Sequence, residues 1–562
     1  MSLTASGEVA KLRSRPRWGI ETVRPFRSLR IRQDQTGARL RAADSKHAQQ
    51  IDAKGMKNVK QYGRLLLARL VVVSNRVAVP TPGRDSRAGG LEVAIRPVLR
   101  RHPGIWFGWS GQIAARPSLQ RIERGHQAYV LTDLVEDDYQ EYYNGYANKV
   151  LWPILHYRLD LAEFSHRDLS GYMRVNRHFA AKLHKLLKTD DVVWVHDYHL
   201  LPLARELRRL GHRNKIGFFH HTPFPPPEIL MALPSHEQLI PAMCNYDLVG
   251  FQTEIDAANF ERYVTNECPI QGCDRHAFQS AGRAFRVGVF PVGVETAQLN
   301  RLARRAAQSP FVHEVVRSLA DRAMIIGVDR LDYSKGIVLR MEAFERFLAG
   351  RADWRGRVTY VQITPKSRSE IQEYADIERH VSEAAGRING TYGEVSWTPI
   401  RYVNRAYNRY VLAGLYRSAR VALVTPLRDG MNLVAKEYVS AQDPENPGVL
   451  ILSRFAGAAA ECKAALLVNP HDPESVGFAI AKALSMPQDE RRERHGALFQ
   501  GLLENNVESW GEHFLSNLMR PLRKRLAGDA PRSKPFDSRI VSGHQGRSDD
   551  RHLTELADWN SR

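Results

Sequence analysis

The sequence predicts an α/β protein in which two doubly wound, Rossmann-like domains face a central cleft. Three observations carry that expectation. Short runs of Val, Ile and Leu recur without polar alternation, as strands buried on both faces of a parallel sheet do. Most runs empty into a loop with Gly, Pro or charged residues and then into a helically spaced stretch, the βα unit of nucleotide-binding folds. The series begins twice, at residues 69–73 and 323–327, and the sequence changes character between them, over 291–302. No internal repeat relates the two series.

The expected domains are 68–300 and 301–490, followed by a helical segment over 491–525 that packs back on the fold. Residues 1–67 and 526–562 are expected to be disordered. At 562 residues the chain has room for two or three domains, and 43% hydrophobic with 25% charged residues is ordinary for a globular protein. No apolar run approaches the roughly 20 residues of a membrane span, so no membrane partner is expected. Four cysteines (Cys244, Cys268, Cys273, Cys462) are too few for a disulfide framework, and no second Cys or His pair completes a zinc site with Cys268 and Cys273. A reducing cytoplasm is the expected compartment.

The net charge of +20 raises the question of nucleic acid, and its distribution answers it. Residues 1–67 carry +10 and residues 520–562 carry +4, which leaves +6 for the whole body between them. No nucleic-acid partner is expected. The first segment reads as a plain basic tail, or as translated sequence ahead of a start at Met56, rather than a transit segment, because it lacks an amphipathic pattern.

The elements follow in order. Residues 69–73, RLVVV, form a buried strand by their β-branched content, and Gly89–Gly90 then opens an apolar helix. WFGWSG (106–111) is either core or a platform for a sugar face, and 139–158 is dense in aromatics without strand alternation. Residues 191–197 (DVVWVHD) and 215–227 (KIGFFHHTPFPPP) are strands that end in polar residues, with further strands at 248–251 and 287–290. The second series runs through 323–327, 357–363, 394–403, 421–424 and 448–453, and a helical pattern covers 487–525.

Chemistry concentrates where strands end. Residues 421–438, VALVTPLRDGMNLVAKEY, pass from strand through a Gly-containing turn into a helix, whose first N–H groups suit an anion. Asp429 and Glu437 flank that turn and suit hydroxyls, so the ligand should carry both phosphate and sugar. Arg330 and Lys335 lie in VDRLDYSKG (328–336), where an Arg fork and a mobile Lys can hold a diphosphate. Arg76 and Arg368 follow strands in opposite halves and suit a second anionic ligand. His196, His199, His220 and His221 read as hydrogen-bonding or packing residues rather than metal ligands, since no acidic cluster accompanies them.

In order and at consistent spacing the chain carries VVVSNR, GGL, WFGWSG, YYNGYANKVLWP, VHDYHL, HHTPFP, VDRLDYSKG and TPLRDGMNLVAKE. Over about residues 69–518 it resembles the retaining glucosyltransferases of the trehalose-6-phosphate synthase family. The resemblance implies a GT-B fold and transfer of glucose from UDP-glucose to glucose 6-phosphate, giving α,α-trehalose 6-phosphate. It implies donor-binding roles for Gly90, His221, Arg330, Lys335, Asp429, Met431, Asn432, Leu433, Val434 and Glu437. His221, Arg330, Lys335 and Asp429 carry the catalytic role within that set, and Arg76, Tyr143, Trp152, Asp197 and Arg368 match the acceptor positions. No cofactor or metal is implied, and a homo-oligomer is. His220 and Thr222 stand where some members carry Leu and Ile. A synthase using another phosphorylated acceptor, such as glycerol 3-phosphate, and a non-catalytic sugar-phosphate sensor are the alternatives. No D-x-D-x-[TV] phosphatase motif is present.

Overall fold

The computed structural model describes residues 68–80, 90–274, 276–280, 282–366 and 371–521. The readings made for the two termini, for Met56 and for Arg368 therefore lie outside the described residues.

The first sheet has ten strands: β1 (Leu70–Arg76), β2 (Gly104–Ile113), β3 (Leu119–Arg124), β4 (Gln127–Leu134), β5 (Val192–His196), β6 (Lys215–Phe219), β7 (Leu248–Phe251), β8 (Ile270–Asp274), β9 (Ala277–Ser280) and β10 (Arg283–Val289). Their spatial order is β3-β4-β2-β1-β5-β6-β7-β10-β9-β8. The second sheet has six: β11 (Ala323–Val328), β12 (Val358–Ile363), β13 (Ile400–Val403), β14 (Val421–Val424), β15 (Val449–Ser453) and β16 (Leu466–Val468). Their order, β13-β12-β11-β14-β15-β16, is the doubly wound 3-2-1-4-5-6 arrangement, and every pairing in it is parallel.

Burial explains why these runs form strands. Leu70 and Val72 join one apolar cluster while Val71 and Val73 join another, so β1 is buried on both faces. Trp106 and Trp109 of β2 are buried, which resolves WFGWSG as core. The aromatic stretch winds into a π-helix, Tyr139–Leu151, that buries Tyr142, Tyr146 and Leu151.

Three expectations change. The first sheet is mixed rather than parallel, because β3 pairs antiparallel with β4, and β9 with both β8 and β10. The outermost strands β3 and β8 are short, and β3 is polar and largely exposed, so it carries no buried-strand signal. The strand expected over 394–403 is confined to Ile400–Val403, because 394–397 closes a tight turn in which Glu394 and Trp397 pair with each other. Finally, β16 is a three-residue strand that the pattern did not separate from its neighbours.

Two features place the cleft. The strand order reverses at β1 and at β11, so ligand crevices are expected beyond the carboxyl ends of β1 and β5 and of β11 and β14. The strand β11 pairs with β12 over its whole length but with β14 only at Ile325 and Ile326, so β11 and β14 separate early. The last helix, Val507–Met519, returns to the first sheet, where Phe514 stacks on Trp194 at 4.6 Å.

Candidate active site

The separation between β11 and β14 is braced by one side chain. Arg340 is fully buried and donates to Asp329 at 2.7 Å, Thr425 at 2.8 Å, the Lys335 carbonyl at 3.0 Å and Gln362 at 3.2 Å. It thereby ties the loop after β11 to the loop after β14. Asp332 folds the first loop by accepting from the Ser334 amide at 3.0 Å and its hydroxyl at 2.8 Å. The result delivers Lys335, whose Nζ meets Asp429 Oδ2 at 2.5 Å.

Asp429 is central to the second loop. Asn432 Nδ2 donates to its Oδ2 at 3.1 Å, and Lys335 holds the carboxyl below its usual range although burial pushes it up. Asn432 itself is left-handed, with φ 72°, and its Oδ1 caps the helix Leu433–Ala441 by accepting from Ala435 N at 3.3 Å. The first-turn amides of Leu433 and Val434 precede any intrahelical acceptor and remain available to an anion. Met431 is buried beside them, with its carbonyl bonded to Ala458 N at 2.8 Å. One turn on, Glu437 is buried, and burial pushes its carboxyl up to about 7 while Arg409 pulls it down.

The first sheet supplies the opposite wall. Asp197 follows β5 with φ 75°, a strained value for a non-glycine residue, and accepts from His221 N at 3.2 Å. Burial pushes its carboxyl up to about 6. His221 follows β6, the neighbour of β5, and its Nε2 lies 3.0 Å from His196 Nδ1. Burial lowers His221 to about 3, so the pair is neutral. The Arg76 guanidinium lies 5.6 Å from the Trp109 ring, and Tyr143 packs on the same ring at 5.4 Å. Gly90 starts the helix Leu91–Arg101 with φ 85°, and a Cβ there would meet nothing within 4 Å, so its backbone is open to close approach.

The walls touch at defined points. A Cβ on Gly430 would collide with the His221 carbonyl, so only glycine lets the Asp429 turn lie against the first sheet. Arg330 lies over Trp152 at 4.7 Å, Arg428 over Tyr157 at 3.8 Å and Arg158 over Tyr333 at 5.6 Å. The structure thus brings Arg330, Lys335, Asp429, Asn432, His221, Trp152 and Asp197 to one cleft. Arg76 and Tyr143 share the Trp109 side of the first wall, whereas Arg368 lies outside the described residues.

Sequence reasoning passed over several residues here. His156 is buried against the Trp152 carbonyl at 2.8 Å, within the fields of Asp332, Lys335 and Asp429. His196 backs His221, and Trp510 of the last helix packs on both rings. His196 and His221 were read as hydrogen-bonding residues, and their pairing was readable in principle, since His196 ends β5 and His221 follows the adjacent β6; nothing local marked His156 or Trp510. Among the described residues no group of three or more His, Cys, Asp or Glu could hold a metal, and no helix is long and apolar enough to cross a membrane.

Comparison with known proteins agrees with this geometry. Trehalose-6-phosphate synthase of Sinorhizobium fredii is 52% identical over 456 residues, which cover 80% of this chain and 98% of that protein. The structure of the Burkholderia xenovorans enzyme in complex with glucose-6-phosphate superposes with a TM-score of 0.78 at 46% identity, covering 81% of this chain and 100% of that one. The Escherichia coli protein bound with UDP-2-fluoro glucose gives 0.77 at 45% identity over the same shares. Residues 69–520 match the profile of glycosyltransferase family 20, and the chain belongs to that family.

Proposed function

We infer that the protein transfers glucose from UDP-glucose to glucose 6-phosphate with retention, releasing UDP and α,α-trehalose 6-phosphate. The observation that carries this reading is the Lys335–Asp429–Asn432 cluster beside the amino end of Leu433–Ala441, facing Asp197 and His221 across the cleft. A cation, a helix start and a carboxylate suit a sugar diphosphate. Relatives solved with glucose-6-phosphate and with a UDP-glucose analogue support the same pair of substrates.

In this reading Arg330, Lys335 and the amides of Leu433 and Val434 hold the diphosphate, Asp429 and His221 the glucose, and Glu437 the ribose. Met431 and Asn432 shape the turn, and Gly90 admits the phosphates. Arg76, Tyr143, Trp152, Asp197 and Arg368 hold the acceptor. Residues 68–300 thus form the acceptor domain and 301–490 the donor domain, with the helix Val507–Met519 returning to the first sheet.

The anomeric hydroxyl of glucose 6-phosphate attacks C1 of the donor glucose on the face that the diphosphate leaves. The C1–oxygen bond to the β-phosphate breaks, and the proton of the attacking hydroxyl passes to the departing phosphate oxygen. Lys335 and Arg330 stabilise the charge that develops on UDP, with no metal needed for that role. Charged metabolites as substrates fit a cytoplasmic enzyme, and we expect a homo-oligomer.

The test is UDP release from UDP-glucose with glucose 6-phosphate, fructose 6-phosphate, glycerol 3-phosphate or no acceptor. Release with glucose 6-phosphate alone and a non-reducing product is expected. Preference for another acceptor would overturn the acceptor assignment, and no release with any acceptor would favour a sensor.

A further inference from the structure

On and beside the helix Leu433–Ala441, three side chains carry buried polar atoms that bond to nothing among the described residues: Glu437 Oε1, Arg409 Nε and Nη2, and the Tyr416 hydroxyl. Such atoms are rare in folded proteins, because each leaves its desolvation uncompensated. Three together point to a polar ligand. Arg409 and Tyr416 stand two turns apart on the helix Arg409–Ser418, and so on one face of it.

The Arg409 guanidinium is held in place from one side only. Its Nη1 meets Glu295 Oε2 at 3.1 Å, and Glu295 Oε1 in turn takes Arg100 at 2.6 Å, from the helix that Gly90 begins. Its Nε and Nη2 bond to nothing among the described residues, and its charge acts on Glu437. The neighbouring cation, Lys436, is occupied by Glu461 and by the Val292 carbonyl at 2.8 Å. On the same helix the Val439 carbonyl is met by His495 at 3.1 Å, the Tyr438 hydroxyl donates to the Ala419 carbonyl and the Ser440 hydroxyl to the Lys436 carbonyl. Among the described residues, Arg409 acts electrostatically on Glu437, and Glu437 on Tyr416.

We propose that Arg409 is a donor-site residue that selects a ribonucleotide: its two open N–H groups and the open oxygen of Glu437 form a slot for the vicinal diol of ribose. The proposal rests on the reading of Glu437 as the ribose carboxylate. A carboxylate only accepts, so by itself it would leave the lone pairs of both buried hydroxyls bare. A guanidinium only donates. Between them each ribose hydroxyl donates to Glu437 and accepts from Arg409, and a 2′-deoxyribose leaves one buried N–H of Arg409 unpaired.

The experiment measures KM and kcat for UDP-glucose and for its 2′-deoxyribose counterpart, from pH 5.5 to 8.5, in the wild type and in Arg409→Met, Arg409→Lys and Glu437→Gln. The wild type should prefer the ribose donor by roughly tenfold to a hundredfold, the loss of one charge-assisted hydrogen bond. Arg409→Met should nearly abolish the preference through KM for UDP-glucose and leave KM for glucose 6-phosphate in place. It should also move the acid limb of donor kcat/KM to higher pH, because Glu437 loses the cation that pulls it down. Arg409→Lys keeps the charge, so the limb should stay while the preference falls; this variant decides the matter if Arg409→Met does not fold. Wild-type preference in both Arg409 variants, or equal losses on both donors with an unmoved limb, would overturn the proposal. If Glu437→Gln also behaves as wild type, the ribose reading fails with it; if Glu437→Gln alone impairs the ribose donor, only the role of Arg409 fails.

Discussion

On the second-sheet side of the cleft, most charged side chains are paired, Lys335 with Asp429, Arg340 with Asp329 and Lys436 with Glu461, and Glu437 is the exception. On the first-sheet side, burial drives side chains toward neutrality. His156 falls to about 4, His220 and His221 to about 3, and Asp197 rises to about 6. The contrast fits the two jobs. A lysine held by a nearby acid can turn to a phosphate without leaving a naked charge behind. Neutral imidazoles and a hydrogen-bonded carboxyl can orient hydroxyls without competing for that phosphate.

The contrast can be broken from either side. The largest effect should come from Arg340→Met, which strands Asp329 as a buried unpaired group; about 3–5 kcal/mol of stability should be lost, read from the denaturant midpoint at constant slope. A loss below about 1 kcal/mol would mean that the charged side is not held by this brace. Next, Lys335→Ala should lower kcat by about 10²–10³ in a folded protein, the usual cost of removing one donor from a developing anion. Near-normal turnover would remove Lys335 from the diphosphate site.

The pH profile sharpens the comparison. Asp197 and Glu437 have raised values, so both become carboxylates only as pH rises through about 6 and about 7. Activity should therefore climb across that interval, and His221, lowered to about 3, should add no step above pH 5. A limb that disappears in His221→Asn would show that the histidine side is not neutral. The smallest effect is expected at the seam. Trp152→Leu removes the ring beneath the half-exposed Arg330 and should cost about 0.5–1 kcal/mol in kcat/KM for the donor, a factor of roughly two to five.

Much of the second sheet and its side of the cleft was legible because its signals are local. Strand, Gly turn and helix adjoin in 421–438, and Arg330 and Lys335 stand in the loop directly after β11. The first sheet was less readable. Its outer strands β3, β8 and β9 are short and gave no continuous apolar run. The supporting residues were hidden for a different reason. His196 reaches His221 across 25 positions, Arg409 reaches Glu295 across 114, and Trp510 arrives on a helix that returns from the far end of the chain. Spacing within a motif says nothing about such partners. Arg428 lay inside the most informative stretch and still escaped notice, because its contact with Tyr157 exists only once the two walls meet.

The division of labour between the walls is the central claim, and steady-state kinetics of Asp197→Asn with both substrates varied test it most directly. If the first sheet holds the acceptor, KM for glucose 6-phosphate should rise about tenfold or more, while KM for UDP-glucose stays within about twofold. A rise confined to the UDP-glucose KM would contradict it.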